Sequence, residues 1–375
     1  MDRILLLHAS VGMGHLRAAS AIASAFQATG QVSTLIEDSL SYAPEVFRKI
    51  YSGLYLSISE SAPAFWSFFY TQTERASMGR IDLVDPRLYG AAFGVGNLGA
   101  VLSHARPAAI VCTHFLPIEM ITSLNYPHLP PIYCVLTDYH AHPFWRHAQV
   151  ARYFVPTQDT EQQLTHAGID KNRISVTGIP IHTIATHPSS QSEARTNLGL
   201  HPKRPVVLLI LSGLTLSRAR MIIEACLVAR PLVTLLVAVG RNQTLASGLL
   251  DLEWRSGGMM RLIGTQANLD NHLIASDVVI SKAGGLTLSE ILAHGKPLLI
   301  PLPVPGQEEF NAQHAIQAGA ALGCISADDF EHTLNRLLNH PTQRIDMAEA
   351  ALSLAKPQAA QQIVDHVLSD LRVSV

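Results

Sequence analysis

A histidine that follows two spaced glycines at the head of an alanine-rich helix is placed to take a proton from whatever the glycine turn admits. That arrangement occurs in HASVGMGHLRAASAIASAF, residues 8–26, where Gly12 and Gly14 lie in the turn and His15 opens the helix. Glycines there let the backbone approach a ligand, with the first helical N–H groups pointing the same way. The positive end of a helix also lowers a histidine's pKa, keeping the ring neutral and able to accept a proton near pH 7. A histidine at a helix start can equally be a plain cap, and it is the flanking glycines that favour a general base. The dinucleotide-binding fingerprint asks for a third glycine at position 17, where Arg17 stands, so the NAD reading fails on its own template.

A second stretch, DVVISKAGGLTLSEILAHGKPLLIPLPVPGQEEFNAQ (277–313), carries a different chemistry. A strand ends at Lys282, Gly284 and Gly285 form a turn, and Thr287 to His294 makes a helix whose first turn can take the negative charge of a diphosphate. Glu290, one turn further in, can accept hydrogen bonds from a ribose diol. Gln307, Glu308 and Asn311 fall three and four apart, hence on one helical face, and amide and carboxylate groups together are what sugar hydroxyls need. A polar helix start with a solvated glutamate is the alternative for this segment taken alone. In TDYHAHPFW (137–145), Asp138 stands at a strand end, where it can orient the base or contact an acceptor hydroxyl. His140 and His142 have the spacing of a metal pair, but no third ligand is spaced nearby, and no metal or other cofactor is expected.

These residues need a scaffold that brings them together. Strand-like runs alternate with helical ones in both halves: RILLLHA, VSTLIED, AAIVCTH, PIYCVLTD, ARYFVP and RISVTG, then PVVLLILSG, LVTLLVAVG, MRLIG, DVVISK and PLLIPLP. Apolar and β-branched runs without alternation indicate strands covered on both faces, hence parallel sheets with crossover helices. Two such series predict an α/β protein of two doubly wound, Rossmann-like domains, residues 1–185 and 206–375. The Ser- and Pro-rich stretch 186–205 between them reads as a linker with a short helix, and the last helix is able to pack back on the first domain. Ligands of such sheets bind at the carboxyl ends of the strands, so a small-molecule site is expected in the cleft between the domains.

Composition narrows the classes. The chain has 375 residues, 48% hydrophobic and 15% charged, with 27 basic against 29 acidic side chains, a balance that excludes nucleic-acid binding by electrostatics. The four cysteines, Cys112, Cys134, Cys226 and Cys324, form no pair at metal or redox spacing and read as reduced, buried thiols of a cytoplasmic protein. The apolar start ILLL is too short for the core of a signal peptide, and no apolar run reaches the length of a membrane span. A visit to a membrane surface is suggested instead by residues 42–70, where nine of the 23 Phe, Tyr and Trp residues fall. An amphipathic hairpin dipping Phe65, Trp66, Phe68 and Phe69 into a bilayer interface fits that concentration, and an internal helix pair is the alternative.

The motifs resemble those of the GT-B glycosyltransferases of family 28. The Gly-Gly-x-Thr turn at 284–287 looks like the UDP-sugar turn of that family, with Glu290 matching its ribose-binding glutamate and Gln307, Glu308 and Asn311 its sugar-binding set. The turn from Ser10 through Gly14 and His15 to Ala19 resembles that of monogalactosyldiacylglycerol synthases and processive diacylglycerol glucosyltransferases, and LTDYHAHPFWRH (136–147) and VTGIPIH (176–182) recur in the same group. The resemblance implies an inverting, metal-independent transfer of a hexose from a UDP-sugar to a lipid hydroxyl, that of diacylglycerol, by an enzyme peripheral on the inner face of the cell membrane. It implies His15 and Asp138 as catalytic residues. On the donor side it implies Gly14, Ile263 as a base contact, the 284–287 turn, and Gly213, though the loop 210–219 has only that one glycine where relatives often have several. Tyr139, His140 and Trp145 join the aromatic hairpin on the acceptor and membrane side. A UDP-sugar 2-epimerase of the same fold and a non-catalytic UDP-sugar-binding membrane scaffold are the rival readings.

Overall fold

A computed structural model describes residues 1–45, 47–48, 96–124, 126, 128–182, 189–229, 231–264, 269–301 and 306–373. Among the described residues twelve strands build two six-stranded sheets in which every neighbouring pair is parallel. The first contains β1 (Arg3–His8), β2 (Ser33–Asp38), β3 (Ala109–Cys112), β4 (Ile132–Val135), β5 (Val150–Val155) and β6 (Ile174–Val176), in the order β2-β1-β3-β4-β5-β6. The second contains β7 (Val206–Ile210), β8 (Thr234–Ala238), β9 (Met260–Ile263), β10 (Val278–Ser281), β11 (Leu298–Pro301) and β12 (Ala321–Cys324), in the order β12-β11-β10-β7-β8-β9.

The apolar runs form strands because both faces of each sheet are covered. In the first sheet Leu5, Leu7, Ile110 and Cys112 face a core shared with Leu98, Leu102, Ile118 and Ile121. Their neighbours Ile4, Leu6, Ala109 and Val111 face the opposite core, made by Ala19, Ile22 and Phe26 of the helix Gly14–Thr29 and by Ile363, Val364 and Val367 of the helix Ala359–Val373. Burial on both sides is what removes the polar alternation of a one-sided sheet.

The chain divides into two compact units, one of Met1–Thr183, Pro305–Gln307 and Lys356–Val375, the other of Ile184–Val304 and Glu308–Ala355. The C-terminal helix therefore belongs to the first unit, where Asp370 receives a bidentate pair of hydrogen bonds from Arg152 at 2.9 and 3.0 Å. Of the stretch read as linker, residues 189–205 belong to the second unit. The helix Gln191–Asn197 starts with a capping box made by Ser190 and Glu193, and Arg195 anchors it by donating to Ala275 O (3.0 Å) and Asp277 Oδ2 (2.6 Å). All four cysteines are buried and unpaired, and no described helix is long and apolar enough to cross a membrane.

Candidate active site

Strand order marks where each sheet can hold a ligand. In the first sheet the order reverses between β1 and β3, and in the second between β7 and β10. At such a point the chains leave their strands in opposite directions and open a crevice at the carboxyl ends. The residues that follow β1 and β3, and those that follow β7 and β10, are the ones singled out by their chemistry.

In the first unit His15 lies in the first turn of the helix Gly14–Thr29, which Gly14 opens and which has neither a side-chain cap nor an acidic residue there. The ring is tied by Nδ1 to the carbonyl oxygen of Thr113, just beyond β3, at 2.8 Å. A carbonyl only accepts, so the hydrogen sits on Nδ1, and Thr137 Oγ1 at 3.1 Å accepts from the same group. Thr113 Oγ1 returns a bond to the His15 carbonyl at 2.9 Å. The lone pair of the neutral ring is thereby on Nε2. Burial lowers the His15 pKa below its ordinary value, and the nearby charge of Asp138 opposes that shift. Asp138, 8% exposed, follows β4 and is thus an electrostatic neighbour of the imidazole.

Two more histidines converge on this point. His8 ends β1, and burial lowers its pKa against the pull of Asp38. His114 packs edge-on against His15, ring centroids 4.5 Å apart and planes at 87°. Burial first, then the neighbouring His15 and His8, hold His114 well below the ordinary histidine pKa. No group of three His, Cys, Asp or Glu side chains among the described residues is placed to hold a metal ion.

The acceptor-side residues separate. Tyr139 and His140 are half-buried in the loop after β4. Trp145 is a core residue, 3% exposed, its ring 5.8 Å from Phe115 and 6.1 Å from His114. The exposed aromatic of that loop is Phe144, at 42%. Phe65, Trp66, Phe68 and Phe69 lie outside the described residues.

In the second unit the loop after β7 meets the turn after β10. Gly213 has φ +77°, a left-handed conformation that favours glycine, and a Cβ there would stand 2.7 Å from Lys282 Nζ and displace the end of the lysine. Lys282 Nζ donates to Glu308 Oε1 at 2.7 Å, while Glu308 Oε2 is buried without a hydrogen-bond partner. Gly284 precedes the helix Gly285–Ala293, which has no side-chain cap and no acidic first-turn residue, and the position of a Cβ on Gly284 is open space. A helix start of this kind suits an anion. Leu286 is buried, Thr287 and Glu290 are half-buried, and the Glu290 carbonyl accepts from His294 Nδ1 at 2.8 Å. Gln307, grouped with the first unit, is half-buried; Asn311 is wholly buried and donates to Ala283 O at 3.0 Å, which ties its amide nitrogen to the turn. Ile263 ends β9 with its side chain 6% exposed, so any contact it makes with a base is through its backbone.

Four participants were missed in the sequence: Thr113, His114, Thr137 and Lys282. Each stands one or two residues beyond a strand, in AIVCTH, CVLTD and VVISK, and that position is the signal that finds them. Their partners are distant in the chain, 98 residues between His15 and Thr113 and 122 between His15 and Thr137.

Comparison with known proteins gives two successive family matches. Residues 15–181 match the family model for monogalactosyldiacylglycerol (MGDG) synthase, and residues 219–363 match the glycosyltransferase family 28 C-terminal domain. The processive diacylglycerol beta-glucosyltransferase of Bacillus cytotoxicus is 30% identical over 375 residues, covering 98% of this chain and 94% of that protein. Among solved structures, MurG of Acinetobacter baumannii matches with a TM-score of 0.60 at 16% identity, covering 98% of this chain and 100% of that one. S. aureus MnaA, solved with UDP, matches with a TM-score of 0.65 at 13% identity, covering 99% and 97%. These structures establish the fold, GT-B, with two Rossmann-like α/β domains. With an MGDG-synthase match followed by a family 28 C-terminal match, the chain belongs to the glycosyltransferase family of the processive diacylglycerol glucosyltransferases.

Proposed function

We propose that this enzyme transfers a hexosyl group, glucose in the first instance, from a UDP-sugar to the free hydroxyl of diacylglycerol with inversion at the anomeric carbon. The observation that carries the mechanism is the fixed tautomer of His15. With Nδ1–H held by the Thr113 carbonyl and burial keeping the ring neutral, Nε2 is a base ready at neutral pH. In the proposed displacement the acceptor hydroxyl gives its proton to Nε2 as its oxygen bonds the anomeric carbon, and UDP departs. The Asp138 carboxylate stabilises the imidazolium that forms.

On the donor side the uncapped start of the helix Gly285–Ala293 and the Lys282 ammonium receive the negative charge of the leaving diphosphate, so the scheme needs no metal. Glu290 takes the ribose diol, and Glu308 accepts from a sugar hydroxyl once the donor arrives. The relatives named as diacylglycerol glucosyltransferases support glucose and the lipid acceptor. UDP-sugar epimerases match this chain in fold at 13% identity, which gives their reaction no support here. We further assign the enzyme to the inner membrane surface, held by the aromatic segment 42–70.

Incubation with labelled UDP-glucose and mixed vesicles containing diacylglycerol tests the reading, with products identified by mass. A glucosyldiacylglycerol is expected. UDP release without sugar transfer to lipid overturns the acceptor, and transfer from UDP-galactose or UDP-N-acetylglucosamine in its place overturns the sugar.

A further inference from the structure

His114 is the strongest unassigned group beside the base. Its Nδ1 accepts the backbone N–H of Leu116 at 3.0 Å, capping the helix Phe115–Thr122. A neutral ring that accepts at Nδ1 carries its hydrogen on Nε2. His15 has the opposite tautomer, with hydrogen on Nδ1 and the lone pair on Nε2. Two neutral imidazoles with ring centroids 4.5 Å apart thus carry one acceptor nitrogen and one donor N–H, the complement of a single hydroxyl, which donates once and accepts once. His114 also packs on Phe115 at 4.2 Å, and Phe115 on the exposed Phe144 at 5.2 Å. An apolar, aromatic run therefore joins the imidazole pair to the surface, as hydrocarbon attached to that hydroxyl requires.

We propose that His114 is an acceptor-binding residue, its Nε2–H donating a hydrogen bond to the attacking hydroxyl oxygen of the glycerolipid while His15 Nε2 takes that oxygen's proton. The hydroxyl proton moves to His15, the oxygen–anomeric bond forms, the anomeric–phosphate bond breaks, and His114 keeps its hydrogen throughout. This rests on the transfer reaction proposed above and adds to it the group that orients the nucleophile.

Two substitutions separate binding from capping, because they preserve different ends of the ring. His114→Asn keeps an acceptor near Nδ1 and is a good cap, but it has no donor at the Nε2 position. His114→Gln places an amide donor near Nε2 and loses the cap. Transfer to diacylglycerol is expected to fall about 10- to 100-fold in kcat/KM for the acceptor in the Asn variant, the worth of one lost hydrogen bond that leaves a polar partner unmatched. The Gln variant is expected within a few-fold of the parent, and UDP affinity by calorimetry should stay within twofold in both. An active Asn variant with an impaired Gln variant, or equal loss in both, overturns the proposal. If the parent transfers sugar to a different acceptor, the proposed lipid substrate fails while the Asn-to-Gln order is still read on that acceptor.

Discussion

Acidification should loosen the first unit through a histidine outside the chemistry. His147 has a side chain only 11% exposed, and burial pushes its pKa down to about 4 from an ordinary 6.5, against a raising backbone hydrogen bond at Phe144. The fold holds this imidazole neutral, whereas the unfolded chain takes up its proton below about pH 6.5. The unfolded state thus binds more protons in that window, and stability must fall with pH there. The lowering of about 2.5 units corresponds to about 3.4 kcal/mol in the acid limit, of which about 2 kcal/mol is lost by pH 5. His8, His15 and His114 act in the same direction, while Glu119, 3.3 Å from His147 and with a pKa raised by burial, acts in the opposite one. Comparing parent with His147→Gln isolates the one histidine. Urea unfolding at pH 7.5 and pH 5, followed through Trp145 in a chain with Trp66 and Trp254 replaced by Phe, should show the parent losing about 2 kcal/mol more than the variant. Equal losses would refute the burial argument for His147 and weaken it for the three histidines at the end of β1 and β3.

His15→Ala is expected to cut turnover by about 10²–10⁴ with UDP affinity little changed, and near-normal turnover would move the base role to Asp138. In the parent the acid limb of kcat/KM should lie below pH about 6.5, because burial keeps His15 neutral to lower pH; a midpoint above that value contradicts the environment described. Glu290→Ala should weaken UDP binding by about 1.5–3 kcal/mol and leave folding intact, and unchanged calorimetric affinity would remove the ribose assignment. Gly213→Ala combines left-handed strain of about 1–2 kcal/mol with a methyl 2.7 Å from Lys282 Nζ, so the KM for UDP-sugar should rise about tenfold, and an unchanged KM shows that Lys282 does not serve the donor from this position. Replacing Trp66, Phe68 and Phe69 together by Ser should reduce vesicle partitioning at least about a hundredfold by lost apolar area, and co-sedimentation equal to the parent's would make these aromatics core.

Local chemistry made eleven of the twelve described strands, their parallel pairing and the two helix-start turns legible; β12, ALGC, is too short and too rich in small residues to stand out as an apolar run. Runs such as ILLL and VVLLI have no polar side to give to water, and glycine before a helix means close approach wherever it occurs. What stayed hidden depended on partners far along the chain. Arg195 lies in a stretch whose Ser and Pro content reads as linker, and Ala275 and Asp277, 80 and 82 residues on, make it an anchor of the second unit. Asn311 sits on the face that reads as sugar-binding, yet its Nδ2 is spent on the Ala283 carbonyl. The burial of Trp145 was not legible either, because its packing partners, Phe115 and His114, come from beyond another strand.

The same separation explains why the identity of the base is a tertiary property. Residues 8–26 contain His15, the glycines and the helix start, so they account for a histidine of lowered pKa. They do not say which nitrogen bears the proton. That is decided by Thr113 and Thr137, which reach the ring because β3 lies beside β1 and β4 beside β3 in the sheet. A slip of one residue in the β1–β3 register, which pairs Leu7 with Cys112, would carry the Thr113 carbonyl away from Nδ1 and free the ring to turn. The buried apolar strands hold that register: displacing it would turn Leu5 and Leu7 out of one core and Ile4 and Leu6 out of the other. The packing that stabilises the first sheet is therefore also what sets the proton on Nδ1 and leaves Nε2 for the substrate.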